Sequence, residues 1–134
     1  MLEKICTDLE TSKRLKELGF EAETNFYWTI TTIDEWNKNQ WNIIYFKDRV
    51  MAKYEPTVPA YTLEQILSEL PEYYKSKSGY DYYLTYEKAN DTFYYQEEFN
   101  APNKYEFSKF STGSNNLVTT AAKLWIKLKE DEII

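Results

Sequence analysis

Tyrosine is the residue type with most chemistry to offer in this chain. Tyr80, Tyr82, Tyr83, Tyr86, Tyr94 and Tyr95 fall in one short stretch. A phenol presents a flat apolar ring for stacking and a hydroxyl that bonds to water or to a partner. Rings two residues apart on a strand line one face, as on the aromatic sheet faces that take up single-stranded nucleic acid, sugars or peptides. Tyr80, Tyr82 and Tyr86 share a face with Leu84, and Tyr83 lies on the other. The plainer alternative is that one face packs on a core, with tyrosine standing in for aliphatic residues. The six tyrosines are the candidate interaction surface.

Other reactive groups are few. Asp81 with Glu97, or Asp91 with Glu87, could meet across a hairpin as an acid–base pair, but nothing separates them from surface charge. Glu97 and Glu98 are neighbours and so point to opposite faces. Cys6 precedes a helix start, where a thiolate is favoured, yet Leu2 and Ile5 flank it and suit a core residue. The chain has no His, which removes Ser–His–Asp and Cys–His catalysis and all His-containing metal sites. A single Cys forms no internal disulfide and no Cys-cluster site, and three Gly leave no phosphate-cradling loop. The expectation is no catalytic residue, no metal and no cofactor.

Charge narrows the partners. Lys plus Arg number 16 and Asp plus Glu 22, a net charge of −6, which argues against direct nucleic-acid binding. Lys13, Arg14 and Lys16 cluster, but Glu10 and Glu17 flank them and predict local ion pairs on a solvated helix face. Rows of carboxylates could instead imitate DNA, although acids and bases are interspersed here. The start lacks the apolar core of a secretory signal and no apolar run is long enough to span a bilayer, so a cytoplasmic protein without membrane contact is expected. Asn90-Asp91-Thr92 matches a glycosylation pattern but reads as a turn.

The elements that must position these residues are well punctuated. Thr7 and Glu10 predict a capping box, with Leu18 the last helical residue and Gly19 the left-handed cap that folds Phe20 onto Leu15. Phe26 to Ile33 reads as a strand, with Phe26, Trp28 and Ile30 on one face and Tyr27 and Thr29 on the other; Trp41 to Phe46 reads as its return. Lys47 to Pro59 is extended or turn, because of Pro56 and Pro59. Thr62 and Gln65 form a second capping box before Leu63, Ile66, Leu67 and Leu70, closed by Pro71. Tyr80–Lys88 and Thr92–Phe99 form a second hairpin about Ala89-Asn90-Asp91, followed by a loop from Asn100 to Gly113 in which Tyr105, Phe107 and Phe110 could pin the chain down. Leu117, Ala121, Leu124 and Leu128, with Val118, Ala122 and Trp125 beside them, mark a final helix over the sheet.

The order α-β-β-α-β-β-α has no βαβ period. Its 134 residues fit one α+β domain, residues 1–134, with an antiparallel sheet built from two hairpins and helices packed on it.

The segment Ile5-Cys6-Thr7-Asp8-Leu9-Glu10-Thr11-Ser12-Lys13-Arg14-Leu15-Lys16-Glu17-Leu18-Gly19 resembles the opening of short uncharacterised proteins of phages and prophages of gut bacteria. Phe26-Tyr27-Trp28 and Pro59-Ala60-Tyr61-Thr62-Leu63-Glu64-Gln65-Ile66-Leu67 resemble them too, and Thr120-Ala121-Ala122-Lys123-Leu124-Trp125-Ile126 is similar to their ending. The resemblance rests on core and capping residues. It implies a viral or mobile-element origin and the cytoplasm of a bacterial host, and transfers no functional residue. The expected function is a non-enzymatic accessory protein that binds another protein, since surplus aromatics favour interfaces. Two alternatives are an acidic inhibitor of a host nucleic-acid-binding defence enzyme, and a binder of a small ligand, a sugar or nucleotide, on the Tyr-rich face.

Overall fold

The fold was obtained as a computed structural model, which describes residues 5–32, 40–47, 57–75, 79, 81–90, 92–97 and 116–134. Helix α1 (Leu9–Glu17) precedes β1 (Phe26–Thr32), β2 (Gln40–Tyr45) and β3 (Thr57–Ala60). Helix α2 (Leu63–Glu69) precedes β4 (Tyr73–Lys75), β5 (Asp81–Glu87), a 3₁₀ turn at Lys88–Asn90 and β6 (Thr92–Glu97); α3 (Leu117–Glu130) closes the order. The fold is α+β, and both expected hairpins are present. Each gains a third strand, so the single expected sheet is two antiparallel sheets, ordered β2-β1-β3 and β4-β5-β6.

Helix α1 begins one residue later than its capping box predicts. Asp8 is the N-cap, its Oδ1 accepting from Thr11 N–H at 2.7 Å. Thr7 is otherwise engaged: its N–H donates to Tyr61 O at 2.8 Å and its Oγ1 accepts from Tyr61 N–H at 3.1 Å. Thr7 Oγ1 also lies 2.6 Å from Ser12 Oγ. A local capping preference gave way to a strand-like pairing with the segment before α2. At the other end Glu17 is the last helical residue and Leu18 the cap. Gly19 takes φ 84°, with Gly19 N–H donating to Lys16 O and Phe20 N–H to Leu15 O, the paired bonds of a Schellman motif. Phe20 is thereby turned inward, edge-on to Tyr61 and Trp125 at 4.6 and 4.9 Å.

In the first sheet, cross-strand register puts Phe26, Trp28 and Ile30 on one face with Tyr45, Ile43 and Trp41, and with Ala60 and Val58 of β3. That face covers Cys6 and Leu9. Strand β3 is four residues long and contains Pro59, which an edge position tolerates because only one side of the strand needs ladder bonds. Ile33, the expected end of β1, lies outside the described residues.

The capping box of α2 forms as expected: Thr62 N–H donates to Gln65 Oε1 at 2.8 Å and Gln65 N–H to Thr62 Oγ1 at 3.4 Å. Helix α3 starts at Asn116, whose Oδ1 accepts from Val118 N–H. Its buried stripe of Val118, Ala121, Ala122, Leu124, Trp125 and Leu128 packs on α1, α2 and β6. The larger apolar cluster gathers here, joining Leu15, Ile66 and Leu70 to Tyr74, Phe93 and Tyr95 of the second sheet.

Candidate interaction surface

The second sheet sorts its aromatics by pleat. Register pairs Tyr74 with Tyr82, and Tyr82, Leu84 and Tyr86 with Glu97, Tyr95 and Phe93. This is the inner face. Tyr82 is half-buried against Tyr74, with rings stacked at 5.3 Å and 16°. Tyr95 is fully buried, and its hydroxyl donates to Pro71 O at 2.7 Å. Its burial drives the phenol pKa upward. Tyr86 sits at the open end of this face, 44% exposed, with its ring 4.9 Å from Phe93.

The outer face pairs Tyr73 with Tyr83, Thr85 with Tyr94 and Glu87 with Thr92. Its two ends differ. Near the 3₁₀ turn, Thr92 and Tyr94 are buried. At the far end Tyr73 is 56% and Tyr83 39% exposed, their rings 5.7 Å apart and tilted by 31°. Two large rings are held side by side there, in water, by ladder bonds of a sheet whose opposite face is in the core. Such a slab can cover an apolar or aromatic side chain while the phenol hydroxyls bond at its rim.

The six expected tyrosines therefore do not form one surface. Tyr95 is a core residue, because Leu84 beside it faces the same cluster as α3, and Tyr94 is closed to solvent on the opposite face. Both are removed from the surface. Tyr82 belongs mainly to the core side, Tyr83 and Tyr86 are exposed on opposite faces, and Tyr80 lies outside the described residues. Tyr73, which the sequence reading passed over, is the most exposed ring of the sheet. The only cue to it was the aromatic pair Tyr73-Tyr74 after the helix-closing Pro71, in a strand of three residues that is too short to show a period.

The carboxylates fall apart as pairs. Asp81 stands opposite Lys75, and Glu97 opposite Tyr82. Glu87 lies opposite Thr92, while Asp91 and Glu98 lie outside the described residues. Cys6 is fully buried, and burial pushes its thiol up to about 11, the opposite of an activated thiolate. Two of the three expected local pairings form in the basic cluster on α1: Arg14 contacts Glu17 at 3.1 Å and Lys13 approaches Glu10 at 4.0 Å, while Arg14 also reaches Glu130 of α3 at 3.2 Å and Lys16 donates to Thr57 O of β3 at 3.4 Å. The Lys13 ammonium also lies 5.5 Å from the Trp41 ring centroid, a cation–π contact between α1 and β2.

Among the described residues no three Cys, Asp or Glu side chains are grouped to hold a metal ion, and no helix is long and apolar enough to cross a membrane. Comparison of the chain with protein-family models, with curated proteins and with solved structures finds no match.

Proposed function

We propose that the chain is a non-enzymatic accessory protein of a phage or prophage that acts in the host cytoplasm by binding another protein. The observation that carries this reading is the Tyr73–Tyr83 pair, two large rings side by side on the open end of an outer sheet face. Aromatic residues on a rigid support lose little side-chain freedom on binding and bury much area, which is why interfaces favour them. The origin and compartment rest on the resemblance of the opening, middle and closing segments to phage and prophage proteins.

The test is affinity capture with tagged protein in lysate of a gut bacterium, with and without nuclease treatment, run beside a Tyr73→Ser/Tyr83→Ser variant shown to be folded by circular dichroism. The reading predicts one host protein enriched near one-to-one by the parent chain and lost from the variant. Retention of that protein by the variant, or capture that vanishes with nuclease, overturns it.

A further inference from the structure

The first sheet meets the rest of the molecule over a small apolar cluster of its own, distinct from the larger one, and over a few polar contacts. Thr7 is the centre of the seam. Besides its two bonds with Tyr61, its carbonyl accepts from the Trp28 indole N–H at 2.9 Å, and Ser12 Oγ lies beside its hydroxyl. Thr24 Oγ1 donates to Ala60 O at 2.7 Å and so ties the approach to β1 to β3 within the sheet's own unit. On the α1 side Thr7, Thr11 and Ser12 are all buried, so hydroxyls occupy ground that a continuous core would give to methyl groups. Among the described residues the cluster under the sheet has five buried members, Cys6, Trp28, Ile43, Val58 and Ala60; the cluster under the second sheet has thirteen.

Opening this seam exchanges a few protein hydrogen bonds for bonds to water and exposes the smaller cluster alone, whereas opening the larger cluster exposes far more apolar area. We infer that the first sheet parts from α1 as a unit, in a partial opening that leaves the larger cluster folded and exposes the sheet's inner face with Cys6. The fold thus carries a conditional apolar surface of Trp28, Ile43 and Val58, hidden in the closed state and presented in the open one.

Cys6 is the sole thiol of the chain and lies under this sheet, its backbone bridged to Thr62, so its labelling reports the opening directly. The experiment is native-state labelling of the full chain with an aromatic disulfide reagent across a urea series, alongside global unfolding followed by circular dichroism. Ile43→Val, within the opening unit, should raise the labelling rate roughly two- to tenfold. Leu124→Ala, in α3, should lower the unfolding midpoint yet leave the rate within about twofold, because it weakens closed and partly open states alike. If Cys6 is reached only by global unfolding, Leu124→Ala accelerates labelling on the order of a hundredfold, and that result overturns the inference. Should Leu124→Ala fail to fold, Ile66→Val in α2 makes the same distinction: an unchanged rate supports the opening, and a severalfold rise excludes it. A labelling rate with the full urea dependence of global unfolding also excludes it.

Discussion

The two sheets solve the same problem with different material. Each has three antiparallel strands and one face against a cluster of buried residues. The second is backed by α2 and α3 and buries tyrosine and phenylalanine; the first meets α1, whose buried positions include Thr11 and Ser12. Strand orders differ as well, since the hairpin that starts the first sheet receives its third strand beside β1, whereas the second is a simple meander. A sheet with a thick apolar backing can hold exposed rings on its outer face without risk to its fold. A sheet that rests on a smaller cluster of its own has less to lose by opening. On the reading proposed above, one region presents the binding surface and the other opens.

The sharpest way to break the comparison is truncation in each cluster. Leu124→Ala should cost about 2–5 kcal/mol, as for a fully buried leucine that leaves a cavity. Ile43→Ala should fall at the lower end of that range by urea denaturation, because the smaller cluster has room to collapse. Next in size is Trp28→Phe, which removes one of two donors from buried Thr7 O, Ser12 Oγ remaining at 3.3 Å, and should cost about 1 kcal/mol. Equal losses for the two truncations, or no loss at Trp28, would remove the distinction between the seams.

Helix caps give smaller effects. Asp8→Ala and Thr62→Ala should each cost about 1 kcal/mol in thermal or urea unfolding, while Glu10→Ala should stay within about 0.5 kcal/mol because Asp8 caps α1. Alkaline pH offers an independent view. Burial raises Cys6 from 9.0 to about 11 and Tyr61 from 10.0 to about 12. These groups ionise first in the unfolded chain, so their contribution is complete below about pH 9 and lost as pH climbs toward the folded values. Urea midpoints at pH 7, 9 and 10.5 should therefore decline over the last step, and Cys6→Ala should remove the earliest part of that decline. The smallest effect is expected at the outer face: Tyr73→Ser and Tyr83→Ser should each change stability by less than about 1 kcal/mol, the scale of a cross-strand pair.

Much of the fold was legible because it is written in local punctuation. The Thr62–Gln65 box, the Gly19 cap and the stripe of α3 depend on residues within a turn of one another, and each forms where expected. What escaped was set at a distance. Thr7 looked like a cap until Tyr61, far along the chain, claimed its hydroxyl. Strands β3 and β4 have four and three residues, too few for a period, and exist because β1 and β5 offer them open edges. At the candidate surface, alternation along β5 separated Tyr82 from Tyr83, but nothing local shows that Tyr94 and Tyr95 are both buried. That follows from what lies over each face of the sheet, and the rank of Tyr73 follows from its register with Tyr83.

Native-state hydrogen exchange across sub-denaturing urea tests the contrast between the sheets most directly. The account predicts that β1 and β2 amides exchange through a shared opening of low urea dependence, while β5 and β6 amides exchange only with global unfolding. A single exchange isotherm shared by both sheets would contradict it.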